Sequence, residues 1–92
     1  MSPVVLDRTY NPSPEVMVRV VGEESVVLDM ASGRYLGMNE VGTRVWQLLE
    51  GGATPAAAVI TLLDEFDVEE PTLRAHVVTF VGELIGLGLV VV

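Results

Sequence analysis

The chain has 92 residues, half of them hydrophobic, so it is one domain with enough apolar material for a core and too much for disorder. It has no cysteine, which excludes disulfides, thiol catalysis and cysteine-ligated zinc, and no charge-free apolar run reaches the roughly 18 residues of a membrane span. Thirteen acids against five arginines give a formal charge of −8, a field that repels phosphate backbones and favours a basic peptide or protein surface.

The start lacks the basic-then-apolar pattern of a signal peptide, so the expected location is the cytoplasm. Residues 1–15 carry Pro3, Pro12 and Pro14 and read as an extended arm, either anchored to the body by Tyr10 or frayed. Residues 16–92 form the single domain. Val16–Val21 and Ser25–Met30 are rich in β-branched residues and read as two strands joined by a turn at Gly22–Glu24. On the second strand Val26, Leu28 and Met30 point one way, Val27 and Asp29 the other. Ala31–Gly33 makes a short connection, with Gly33 suited to a positive φ, and Arg34–Met38 is the third strand. Tight turns on both sides imply an antiparallel meander whose third strand lies at an edge.

Asn39 marks an abrupt switch from strand to helix, because its side chain can accept an orphan N–H of the next turn. The first helix runs from about Glu40 to Glu50, with Val41, Val45, Leu48 and Leu49 at helical spacing and Trp46 beside them as packing. Gly42 in this helix would permit a close approach to the sheet. Gly51 and Gly52 end it, and Thr54-Pro55 starts a second helix that reaches about Phe66, with Val59, Ile60, Leu63 and Phe66 inward. A third helix extends from about Pro71 to Leu87, and Leu89–Val92 is a terminal strand or a tucked tail.

On a helical wheel of about 100° per residue, Leu73, Val77, Phe80, Leu84 and Leu87 form the core stripe of the third helix. Thr72, His76, Thr79 and Glu83 form its polar face. Ala75, Val78, Gly82 and Ile85 make a second apolar stripe, with Val81 between the two and Arg74 alongside. Two stripes mean either deeper burial, against the sheet or a second copy, or a bound partner.

Catalysis has little material. His76, the only histidine, has no acid and nucleophile near it in sequence. The acids Asp64, Glu65, Asp67, Glu69 and Glu70 lack the spacing of a calcium loop and read as a solvated helix junction, so no metal or other cofactor is expected. The order of elements is that of a winged helix-turn-helix, an α+β fold with a three-stranded antiparallel sheet followed by three helices. A DNA-binding regulator of that fold uses a basic recognition helix, which the third helix is not.

The segments VVLDMASGRYLGMNEVGTRVWQLLEGGATP, LLDEFDVEEPTL and FVGELIGLGLV resemble the PqqD-like family, over about Val26–Val90. Its members are RiPP recognition elements, which bind the leader segments of ribosomally made precursor peptides. Asp29, Gly33, Tyr35, Asn39, Val41, Gly42, Trp46, Leu49 and Gly88-Leu89 carry the likeness in combination, and the short free-standing form is most like the recognition proteins of lasso-peptide pathways. The resemblance implies a non-enzymatic adaptor in which a leader adds as a strand beside the third strand and is flanked by the third helix. Carried onto this chain, that site is Arg34, Tyr35, Leu36, Gly37 and Met38 together with Arg74, Ala75, Val78, Val81, Gly82 and Ile85. The implied partners are the precursor leader, a leader peptidase and a cyclase, with no nucleic acid and no membrane. The chain itself is then a monomer or a weak homodimer. A peptide chaperone of pyrroloquinoline quinone synthesis is the alternative within the family.

Overall fold

Local chemistry sets the sheet. In the computed structural model, which describes residues 4–92, β2 (Val16–Val21), β3 (Glu24–Asp29) and β4 (Tyr35–Met38) follow β1 (Asn11–Pro12) and form an antiparallel meander in that order. This is the order that tight turns require. The register pairs Met17 with Leu28 and Leu28 with Tyr35, and Arg19 with Val26 and Val26 with Gly37. Side chains alternate across a strand, so Ser25, Val27, Asp29 and Met38 are buried while Val26, Tyr35 and Gly37 are exposed on the outer face.

The β3–β4 turn is tied by Asp29. Its carboxylate accepts the Ala31 N–H at 3.0 Å and the Ser32 hydroxyl at 2.8 Å. Gly33 takes φ 78° and donates its N–H to the Asp29 carbonyl.

Three helices complete the α+β fold: α1 (Glu40–Glu50), α2 (Pro55–Glu65) and α3 (Glu70–Gly86). One residue separates β4 from α1. Asn39 is that residue, and its Oδ1 accepts the Gly42 N–H at 2.9 Å. Thr54 caps α2 in the same way through Ala57. The close approach at Gly42 is to α3 as well as to the strand end: a methyl placed there would meet Phe80 Cε1 at 3.3 Å and Met38 Cβ at 3.4 Å. Gly42 therefore lets α1 and α3 nestle at the end of β4.

Val27, Trp46, Leu49, Leu62, Leu73, Val77, Val81 and Leu84 form the core between sheet and helices, each at most 1 % exposed. Ile60, expected inward, is 68 % exposed, and Leu62 takes its place because α2 buries the face of Ala58, Val59 and Leu62. At the end of α3, Leu89 N–H donates to the Leu84 carbonyl and Gly88 N–H to that of Ile85, a Schellman arrangement that turns Leu89 into the core.

Residues 1–3 of the expected arm lie outside the described residues. From Val4 onward the chain is fastened at several points. Tyr10 is 2 % exposed and its hydroxyl accepts the Val5 N–H. The Leu6 carbonyl accepts the Ala56 N–H in the first turn of α2. β1 pairs antiparallel with the terminal strand β5 (Val90–Val91).

One buried polar pair joins α1 to the sheet. The Thr43 hydroxyl donates to the Met38 carbonyl at 3.3 Å, so the Ser25 hydroxyl donates to Thr43 Oγ1 at 2.7 Å. Thr43→Val strands the buried Ser25 hydroxyl and removes the second bond on the Met38 carbonyl, which keeps its ladder bond, and is expected to cost about 1–3 kcal/mol. Adding Ser25→Ala should cost less than the sum of the two single changes, because the stranded donor is removed. Urea unfolding of the three variants measures this, and strict additivity is the contrary result.

Candidate functional site

Which backbone groups of β4 are free follows from its pairing. Asp29 N–H donates to the Arg34 carbonyl at 2.8 Å. In an antiparallel ladder, bonded pairs recur every second residue, so Leu36 bonds Val27 and Met38 bonds Ser25. The N–H and C=O of Tyr35 and Gly37 therefore point away from β3. Among the described residues β4 has no second neighbour. The edge is open, with two donors and two acceptors in a row.

Beside this edge lies a groove of about 510 Å³. Its floor is Gly37, Met38, Asn39, Val41, Gly42 and Val45, from the end of β4 and the first turns of α1. Its far wall is His76, Val77, Thr79, Phe80 and Glu83 of α3. The walls are apolar at Phe80 and Val41 and polar at the rim, where His76, Thr79 and Glu83 are exposed.

The strand residues of the expected site lie as the sequence suggests: Tyr35, Leu36, Gly37 and Met38 make up β4, and Arg34 directly precedes it. The helix residues do not line the groove. Val81 is completely buried in the core. Val78, Gly82 and Ile85 lie half-buried on the opposite flank of the core stripe, and Ala75 is exposed on the outward face. A methyl at Gly82 would meet Val4 Cγ2 at 3.9 Å, which places the N-terminal segment over that flank. Arg74 lies on the same flank and bonds Glu70 one turn earlier at 2.6 Å. Val4 thus lies beside this stripe at Gly82, while Ala75 at its other end stays exposed. The physical reason is the wheel itself: with Val77, Val81 and Leu84 inward, α3 has two flanks, and the β4 edge meets the one carrying His76, Thr79, Phe80 and Glu83. Polarity hid that flank in the sequence, and only Phe80, read as core, signalled it.

The charges at the site are few. Arg44 is tied to Glu65 by two bonds of 2.8 and 2.9 Å, which raise the guanidinium above its ordinary pKa and brace α1 on α2. Arg8, Arg19 and Arg34 make no ion pair among the described residues. Among those residues no three His, Asp or Glu side chains come together as a metal site, and no helix is long and apolar enough to cross a membrane. What the groove offers is a main-chain ladder and an apolar trough, which suit an extended peptide.

Residues 24–90 match the family described as coenzyme PQQ synthesis protein D (PqqD). A structure of TbiB1 in complex with the TbiA(beta) leader peptide is 31 % identical, with a TM-score of 0.80 over 87 % of this chain and 93 % of that one. A lasso peptide synthetase B1 complexed with the leader peptide is 26 % identical, with a TM-score of 0.81 over 92 % of this chain and 100 % of that one. No curated protein matches the chain.

Asp29 holds the turn that positions the edge, and its bonds from Ser32 and from the Ala31 N–H keep its carboxyl below the ordinary value of 3.8. A depressed folded-state pKa contributes stability that is complete above the unfolded pKa and is lost as pH falls through the folded one. The melting temperature should therefore drop below about pH 4, and Asp29→Asn should flatten that acid limb. Identical acid limbs in the two proteins would contradict the role given to Asp29.

Proposed function

The chain belongs to the PqqD family, and we propose that it binds the leader segment of a ribosomally made precursor peptide as an added strand on β4. The open row at Tyr35 and Gly37, lying beside an apolar groove, is the observation that carries this reading. The two similar structures hold leader peptides, and this supports it. The chain then acts as a non-catalytic adaptor in the cytoplasm, presenting the precursor to a leader peptidase and a cyclase of a lasso-peptide pathway. The family's description favours pyrroloquinoline quinone synthesis instead, but both similar structures hold a leader peptide and one of them is a lasso peptide synthetase B1, and the adaptor chemistry is the same in either.

The magnitudes assign separate tasks to backbone and side chains. Four ladder bonds at about 0.5–1.5 kcal/mol each roughly offset the several kcal/mol lost in ordering a flexible segment. Two or three apolar side chains buried at about 1.5–3 kcal/mol each supply the surplus, enough for micromolar binding at about −8 kcal/mol. On this reading the guest residues facing the same way as Leu36 and Met38 enter the trough against Val41 and Phe80. His76 and Glu83 at the rim meet polar or basic guest groups. The helix contribution to the site is therefore His76, Thr79, Phe80 and Glu83.

The ladder and the groove are tested separately by calorimetric titration with a precursor leader peptide. Gly37→Pro removes one edge donor and no bond to β3, so binding should weaken at least about tenfold while cooperative unfolding persists. Thr79→Trp should block the trough and weaken binding by a similar factor, whereas Arg74→Trp, on the other flank, should stay within about twofold. Undiminished binding by Gly37→Pro, or a larger loss from Arg74→Trp than from Thr79→Trp, would overturn the assignment.

A further inference from the structure

The sheet has a second margin. β3 spends the N–H and C=O of Ser25 and Val27 on β4, so those of Val26 and Leu28 serve β2, where they bond Arg19 and Met17. The main-chain groups of Val18 and Val20 therefore point away from β3. Among the described residues β2 has no further neighbour in its sheet. Native edges are commonly guarded by lysine, proline, a bulge or shortness. β2 runs for six residues, VMVRVV, in unbroken register with β3 and without any of these guards. Its one charge, Arg19, is paired with Val26 on the outer face, and Val20 and Val21 are 54 % and 72 % exposed.

The helices leave the inner side of this margin uncovered. A cleft of about 280 Å³ lies between the end of β2, α1 and the C-terminus of α2, with Val20 and Phe66 as its apolar walls. Val20 belongs to the cross-strand row Val20–Ser25–Met38, which faces α1 through the bond from Ser25 to Thr43. A residue of an antiparallel strand added opposite Val20 extends that row and enters the cleft. The rim there carries Glu23, Glu40 and Glu65. Glu65 is held by Arg44, whereas Glu23 and Glu40 make no ion pair among the described residues. A side chain in the cleft meets apolar carbon along its stem and uncompensated carboxylates at its head, which is the construction of arginine and lysine. A second copy of the chain lacks it: antiparallel pairing of two β2 strands through their free groups sets a valine of the copy opposite Val20, and joins two bodies of charge −8.

We propose that β2 is a second docking edge, separate from the β4 groove, which takes an extended segment of a partner protein with an arginine or lysine opposite Val20. The main-chain groups of Val18 and Val20 hold the segment, and the acid-rimmed cleft selects its basic residue. β2 and β4 are opposite margins of one three-stranded sheet, so both can be occupied at once. The chain then bridges whatever binds β4 to a second protein. This inference stands on the β2 margin alone and is independent of what β4 binds.

The test is display selection of random twelve-residue peptides on the full chain, with each enriched peptide then titrated against four variants whose folding is checked by thermal melts. Val20→Pro removes an edge donor and no bond to β3, and Val20→Thr keeps that donor. The double variant Glu23→Gln, Glu40→Gln neutralises the rim, and Gly37→Pro blocks the other edge. One class of peptides should carry Arg or Lys between β-branched residues. It should bind at least about tenfold more weakly to Val20→Pro, and within about threefold to Val20→Thr. On the double variant it should lose at least about threefold at low salt, a loss that shrinks as salt is raised. On Gly37→Pro it should be unchanged. Amide exchange reads the same edge without a substitution: the N–H groups of Val18 and Val20 should slow in the complex, and unslowed exchange overturns the edge. Enrichment only of peptides weakened by Gly37→Pro overturns the β2 site and leaves binding at β4 standing. A β2 class without a basic position, or indifferent to the double variant, overturns the basic partner. Self-association of the full chain by light scattering, abolished in Val20→Pro, assigns the edge to a second copy and also overturns the proposal.

Discussion

The single-residue junction between β4 and α1 governs everything around it. Asn39 ends a strand and caps a helix at once. With no loop to absorb error, the orientation of α1 is dictated by the strand it leaves. Thr43, one turn later, returns a hydrogen bond to the Met38 carbonyl and accepts one from Ser25 on β3. Gly42 between them admits Phe80. In this way one corner fixes the distance from the sheet edge to α3, and that distance is the width of the groove. A longer or looser junction would leave the same elements and no defined trough.

A rigid corner matters energetically because the ladder roughly breaks even against the ordering of a flexible guest. The surplus has to come from side chains that find their seats already formed, so pre-organisation of the α3 flank against β4 converts apolar contact into net affinity. The edge also carries a hazard. An unpaired strand can recruit a second copy of the chain. β4 is short, with four residues; it carries Gly37 and is directly preceded by Arg34. These features weaken pairing with another copy of itself while leaving the main-chain groups available to a guest that brings its own side chains.

The parts of the fold governed by local chemistry were legible in the sequence. The meander followed from β-branched runs and tight turns, the helix starts from Asn39 and Thr54-Pro55, and the edge position of the third strand from connectivity. The flank of α3 that meets the edge was not. Apolarity pointed to Ala75, Val78, Gly82 and Ile85, but in the structure none of these lines the groove, and Val4 approaches Gly82 from some 78 positions away, which no local pattern encodes. The groove flank, with His76, Thr79 and Glu83, resembled an ordinary solvated face. The outer sheet face was half legible: alternation placed Val26 and Leu28 together, but nothing local said which set of side chains would be turned from the core.

Amide hydrogen exchange at single-residue resolution, with and without a saturating leader peptide, reads the central claim directly. In the free chain the N–H groups of Leu36 and Met38 should be protected by β3, and those of Tyr35 and Gly37 should exchange quickly. Leader binding should slow Tyr35 and Gly37 by a large factor and leave the N–H groups of Ala75 and Val78 as they were. Fast exchange at Gly37 in a complex whose formation is confirmed by calorimetry would contradict an added strand on β4.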